Sequence, residues 1–393
     1  DSGVDSGTES ILDLANQRLR RKRRLRCAYR FQHERLINFS NRQFYENDLV
    51  VFPSPRGNDD ELLGVHYVHV PSVQPDTVYE SSINQREAEA VIAEAYRIMI
   101  AHPENSLGIA AMNAKQTELI QNEFERLGLE RPEVRAYIER FAGTVDEFFI
   151  KNLENVQGDE RDIILISTVY GPGKDGVVKQ HFGLMNREVG WRRLNVLVTR
   201  AKLSTRVFSS LRPDDVKITD ATSKGPRALK DYLTYALGSA TADNPFGGEP
   251  ESDFEAFVGE RLEAEGYEVV PQVGVDRFRI DIGVRHPGYA GGFIAGIECD
   301  GAPFHSGLTV RDRDRIRQAQ LESLGWHIYR IWSVDWFADP DRQTGLLLDW
   351  LARLRDAAIA RLPAADTVPP ANLVLATEPD ANEAPDDNSL IDG

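Results

Sequence analysis

The chain is poor in cysteine: Cys27 and Cys299 are the only two in 393 residues. Two thiols support neither a disulfide framework nor a cysteine-built zinc site, and a reducing cytoplasm suits them. Lysine stops at Lys230, and every later cation is an arginine or a histidine. Lysine-dependent chemistry is thereby excluded from the C-terminal half. No apolar run approaches the roughly 18 residues of a membrane span and no signal peptide opens the chain, so no membrane partner is expected. Nowhere is there a G-x-x-x-x-G-K-[ST] loop to cradle a triphosphate; "GPGK" at 171–174 lacks the spacing. The first residue is Asp1 rather than methionine, and the expectation is a piece of something longer.

What is present is the composition of an ordinary globular protein, 41% hydrophobic, long enough for two or three domains with separate cores. The net charge of −16 argues against a nucleic-acid partner only until the charges are located. Residues 362–393 hold seven acidic side chains and no basic one, the pattern of a disordered, solvated tail. "RLRRKRRLR" (18–26) is almost wholly basic and reads equally as a solvated helix face or a phosphate-contacting one. Charge alone does not select a partner.

Five segments follow. Residues 1–24 form an N-terminal linker with the basic segment. From 25 to 212 helices alternate with apolar runs such as "LGIAAM" (107–112) and "DIILISTVY" (162–170), with "KQTELIQNEFERLGL" (115–129) apolar at helical spacing. That alternation predicts an α/β layer with a mainly parallel sheet. A linker at 213–250 carries one helix at 226–237 and ends in "DNPFGGEP" (243–250). A second α/β unit spans 251–357, opening with a helix capped by Ser252 and ended by Gly266. The tail, 358–393, completes the chain.

Four stretches carry a resemblance: "YRFQHERLINFSNRQFYENDL" (29–49), "GIAAMNAKQTELI" (108–120), "NVQGDERDIILIS" (155–167) and "RRLNVLVTRAK" (192–202). In this order and spacing they resemble the second RecA-like domain of Upf-like superfamily 1 helicases. In such motors ATP sits between two RecA-like domains, and fixed arginines of the second stabilise charge developing on the transferred phosphoryl group. The resemblance places Arg200 and Arg30 in those positions. It sets Gly158 and Glu160 against the nucleotide, the glycine allowing close backbone approach. Thr144 becomes a candidate contact to the nucleic-acid backbone. The phosphate loop and the first RecA-like domain lie outside these residues, so a helicase domain in cis is the implied partner and ATP a cofactor of the full-length protein only.

In the second unit, "FRIDIGVRHPG", "GIECDGAPFHS" and "RDRDRIRQAQLESLGWHIYRIWSVDWF" resemble the Vsr-like branch of the PD-(D/E)xK restriction-endonuclease fold. Asp281 lies near the end of one strand, and Glu298 and Asp300, two apart, share a face of the next while Cys299 points away. Three converging carboxylates bind Mg²⁺ or Mn²⁺, which takes oxygen ligands, polarises a scissile phosphate and acidifies a water. Glu255 on the opening helix is a fourth candidate. The family's lysine is Asp300 here; by resemblance His305 takes over proton transfer, as its titration range permits. The alternation along "WHIYRIW" assigns Trp326, Trp332 and Trp336 to the core. Arg311, Arg313, Arg315 and Arg317, interleaved with Asp312 and Asp314, read equally as a phosphate-gripping or a self-neutralised helix face.

The expected protein is thus the C-terminal part of an ATP-dependent helicase–nuclease, a metal-dependent endonuclease acting on nucleic acid, DNA above RNA, in a defence or repair role. The rival is a non-catalytic clamp that uses the nuclease fold only to grip DNA.

Overall fold

In the computed structural model, the described residues are 25–57, 60–71, 82–238, 247–275, 278–301 and 308–360, with Ala15, Arg18 and Leu19. For Val275 and residues 308–314 the description covers the backbone alone. His305, most of the basic segment and the acidic tail from 361 onward lie outside the described residues.

The first unit runs α1 (Arg35–Phe44), β1 (Gly64–His69), α2 (Gln85–Ala101), β2 (Leu107–Ala111), α3 (Ala114–Glu130), α4 (Pro132–Phe141), β3 (Phe149–Asn152), β4 (Arg161–Ser167), α5 (Gly190–Val198), β5 (Ala201–Ser209) and α6 (Lys224–Gly238). Its five strands lie in the order β1-β5-β4-β2-β3, all parallel. The apolar runs explain the centre of the sheet. Every residue of β2 is buried, as are Ile163 to Ile166 of β4. A strand covered on both faces has no solvent side to alternate with. Ile164 and Ile166 pack toward α1, α5 and α6, whereas Ile163 and Leu165 pack toward α2, α3 and α4.

Asparagine side chains start the two long helices: Asn84 accepts from the Glu87 N–H and Asn113 from the Gln116 N–H. Glu87 itself is fully buried. Its carboxylate accepts from the backbone N–H of Val169 and of Ser210, both at 2.7 Å, and from the Ser167 hydroxyl at 2.8 Å. It thereby ties the start of α2 to the ends of β4 and β5. Burial pushes this carboxyl up to about 7, against the opposing pull of those donors.

The second unit comprises α7 (Asp253–Ala264), β6 (Glu268–Val275), β7 (Phe278–Arg285), β8 (Ala295–Asp300), α8 (Leu308–Ser323), β9 (Ile328–Trp332), α9 (Ser333–Ala338) and α10 (Pro340–Ala360). The order is β6-β7-β8-β9, antiparallel except for the last, parallel pair. Ser252 caps α7 by accepting from the Glu255 N–H, and Gly266 follows the helix at φ +85°, as its sequence position implies. One face of the sheet packs on α7 and α10 through Ile282, Val284, Ile297 and Ile331.

The other face is closed from the far end of the chain. Gly283 and Gly296 sit opposite each other in the β7–β8 ladder. A Cβ at Gly283 would lie 2.5 Å from the Phe293 ring, and one at Gly296 3.1 Å from the Trp326 indole. The two glycines make room for the aromatic rings. Over those rings runs the segment 50–57, which leads from α1 to β1. Phe52 is buried with Phe293, Leu321, Leu324 and Trp326, its ring 4.3 Å from that of Phe278. The Trp326 indole N–H donates to the Pro53 carbonyl at 2.8 Å and the Phe293 N–H to the Pro55 carbonyl at 2.7 Å. Arg56 bridges Gly292 in antiparallel fashion. Gly292, at φ +111°, is needed because a side chain there would strike the Pro55 carbonyl. Behind the strap, the Ser54 N–H donates to buried Glu34 at 2.8 Å.

Truncating Phe52 to alanine should therefore destabilise the second unit, by about 3–5 kcal/mol for a buried aromatic ring. Denaturant unfolding followed by tryptophan emission checks this. A midpoint equal to wild type would mean that the strap does not hold the sheet.

Candidate functional site

Two groups of polar residues stand apart from the cores. The first lies at the amino edge of the parallel sheet, where β4 and β5 begin. Arg30 donates to Glu160 at 3.0 Å and to the Thr199 carbonyl at 2.6 Å, and its Nε has no partner. Arg200, after α5, donates to the Val196 carbonyl at 2.8 Å and to the Thr199 hydroxyl at 3.4 Å. Burial first, and then the Arg30 charge, pull the Arg200 guanidinium below its ordinary range. Two coupled cations with one acidic partner form an edge that an anion would relieve. Gly158 adopts φ +93° with open space where a Cβ would stand, so the turn itself favours glycine here. Thr144 is exposed in the loop leading to β3 and donates its hydroxyl to Phe141. Two open clefts elsewhere in this unit, one of about 440 Å³ beside Asn113, His181 and Arg187 and one between α2 and α3, touch neither arginine.

The second group lies where β7 and β8 run past Gly283 and Gly296, with Glu298 and Asp300 on the strap side and Glu255 reaching in from α7. The β7–β8 pairing ends at Ile282 and Ile297, and the residues next beyond them, Asp281 and Glu298, lie near enough for the Asp281 charge to act on Glu298. Asp281 accepts from the Cys299 N–H at 2.7 Å. Glu298, only 6% exposed, accepts from Arg317 of α8 at 2.9 Å, and Asp300 pairs with Arg330 of β9 at 3.0 Å. Cys299, between them, joins the opposite core, as the strand period requires. Glu255 is buried and accepts from Gln272 at 2.8 Å and from the Ser252 hydroxyl at 2.9 Å.

Electrostatics mark this face. Burial, reinforced by Glu255 and Asp300, raises Asp281 to about 6. Burial, reinforced by Asp281 and Asp300, raises Glu298 to about 7, with Arg317 and Arg330 opposing. The donors are all oxygen, and the carboxylates repel one another, which suits a hard divalent cation. Among the described residues, however, no three His, Cys, Asp or Glu side chains are grouped so as to hold a metal ion. Asp281 and Glu298 come together; Asp300 is drawn to Arg330. His305 lies outside the described residues.

Three residues here escaped the sequence. Arg317 is the arginine of its helix seen to engage a carboxylate, and it is fixed further by the Arg279 carbonyl and the Phe278 ring. Gln272 is buried at φ +53° within β6, a backbone strain maintained by its bond to Glu255. Strand alternation places Trp332 in the core with its neighbours. Trp326 and Trp336 are 2% and 3% exposed, but Trp332 is 42% exposed.

The order of the two sheets matches the two resemblances carried by the motifs: a helicase-like RecA unit, then a restriction-endonuclease-like one. The chain belongs to the AAA domain family AAA_12, whose family model matches residues 8–211. The restriction-endonuclease-like family REase_MTES_1575 matches residues 254–351. Among curated relatives, an uncharacterized ATP-dependent helicase of Mycoplasma pneumoniae, the MG140 homolog, is 27% identical over 361 residues, 86% of this chain and 31% of that protein. The ATP-dependent helicase MG140 of Mycoplasma genitalium is 26% identical, over 85% of this chain and 30% of its own length. The chain thus spans under a third of these relatives. A solved C-terminal domain of a possible DNA helicase from Lactobacillus plantarum WCFS1 aligns with 49% of this chain and 95% of its own. At 10% identity and a TM-score of 0.28 that likeness is too low to bear on the fold.

The raised carboxyls set a pH dependence. A carboxyl that binds its proton more tightly when folded favours the folded state below its unfolded value, here 4.5 for Glu298, and loses that contribution as pH rises toward about 7. Without divalent cation, the melting temperature should fall across that window. Buried Glu87 adds to the same slope, so the informative quantity is the difference between wild type and Glu298→Gln. The substitution should flatten the slope; an unchanged slope would show that Glu298 is not holding a proton there.

Proposed function

We propose that these residues form part of an ATP-dependent helicase–nuclease, in which the second unit hydrolyses phosphodiester bonds of nucleic acid with a divalent metal. The observation that carries the reading is the nearness of half-buried Asp281 and buried Glu298, both carboxyls raised, in a restriction-endonuclease-like sheet. These two carboxylates would hold Mg²⁺ or Mn²⁺, with Asp300 at their flank. A cation bound there supplies Lewis-acid polarisation of the scissile phosphate and an acidified water. The protein's own groups do the positioning: Arg317 orients Glu298, the Cys299 N–H orients Asp281, and Gln272 with Ser252 fixes Glu255. His305 is assigned proton transfer from the sequence alone.

In the first unit, Arg30 and Arg200 would meet the γ-phosphate of ATP bound mainly by a further RecA-like domain in cis, with Glu160 holding Arg30 in readiness. Translocation would then deliver the strand to the acidic face, with DNA the favoured substrate and defence against foreign DNA or repair the favoured setting.

A clamp without catalysis has one observation in its favour: arginines already occupy Glu298 and Asp300. One comparison separates the readings. Wild-type protein should cleave labelled DNA in Mg²⁺ and bind the ion by calorimetry, and Asp281→Ala should lose both, with cleavage reduced on the order of 100-fold or more. Undiminished cleavage by Asp281→Ala would refute the metal seat. DNA bound by wild type with neither cleavage nor ion binding would favour the clamp.

A further inference from the structure

We propose that Trp332 is a stacking platform for an unpaired nucleobase, placed so that the base sits beside the acidic centre. The inference rests on the nucleic-acid reading above and extends it to a binding site for the base. In the parallel β8–β9 ladder Glu298 pairs with Arg330, Cys299 with Ile331 and Asp300 with Trp332. Partners in a ladder share a face. Cys299 and Ile331 both join the core beneath α7 and α10. Glu298, Asp300, Arg330 and Trp332 therefore share the opposite face, which the ion pair between Asp300 and Arg330 confirms. Trp332 is the last residue of that row, directly across from Asp300.

Its exposure is not a consequence of a crowded core. Trp326, on the same side of the sheet, is seated under the strap, and Trp336 is buried with Phe254. Trp332 alone of these three leaves 42% of its surface in water. Leaving an indole in solvent forgoes the gain of burying it, on the order of 25 cal/mol per Å² of apolar surface. An adjacent strand lies about 4.8 Å away, so a ring on β9 stands one strand from a phosphate held at β8. Arg330 and Arg317 offer positive charge on the same face, whereas a flat apolar protein surface would have to bury those ion pairs. A base has a π-face to stack and leaves its phosphate in water, so the site is tolerant of sequence.

The test uses the whole chain, a fluorescein-labelled oligothymidylate and Ca²⁺ in place of Mg²⁺, so that binding is read without turnover. Trp332→Ala should weaken binding about 5- to 100-fold and Trp332→Phe much less. Replacing single nucleotides by abasic sites should weaken wild type at one position by the same factor and leave Trp332→Ala unaffected there. Wild-type affinity in Trp332→Ala, or equal sensitivity of both proteins to every abasic position, overturns the platform. Self-association of wild type without oligonucleotide, abolished in Trp332→Ala, overturns it in favour of an interface between copies. The nuclease reading fails separately: Trp332-dependent binding in a protein that never cleaves in Mg²⁺ supports the platform and removes the catalysis.

Discussion

The small sheet cannot close its own face. Its Gly283 and Gly296 open a slot that Phe293 and Trp326 fill, and the rings are sealed by Phe52, Pro53 and Pro55 from more than two hundred residues earlier in the chain. Without that cover the two rings would face water, and the Trp326 and Phe293 N–H groups would exchange their carbonyl acceptors for solvent, a net loss of about 0.5–1.5 kcal/mol each beside the lost apolar burial. The strap is in turn fixed to the first unit through Glu34 at the start of α1. Two units with separate sheets are therefore held together by a shared core rather than by a surface contact.

That arrangement bears directly on the proposed chemistry. Along β8 and β9 the sealed slot and the acidic centre follow one another on one face: Gly296, then Glu298, then Asp300 and Trp332. Helix α8 serves both, packing Leu321 into the slot and directing Arg317 to Glu298. On the other side of α1 from the strap, Arg30 reaches the arginine edge where nucleotide is proposed to act.

Much of this was legible in the sequence, for identifiable reasons. Unbroken apolar runs became β2 and β4, since a parallel strand buried on both faces needs no polar positions. Strand period two put Glu298 and Asp300 on one face and Cys299 on the other, as observed. For tryptophan the same period gives the side of the sheet but not the burial. The two indoles share a side of the sheet, yet the strap covers only the first. The pairing of Phe52 with Trp326 leaves no local pattern, because nothing in either segment's periodicity names its partner. Arg317 could not be singled out from its interleaved neighbours before the direction of α8 was known.

The shared core is tested most directly by separating the units. A fragment spanning residues 247–360 retains every strand of the small sheet but lacks the strap. Compared with residues 25–360 by calorimetry and near-ultraviolet circular dichroism, it should show no cooperative transition and weak tryptophan asymmetry, while the longer chain melts in a single step. A fragment that melts cooperatively with the tryptophan signal of the intact chain would contradict the account.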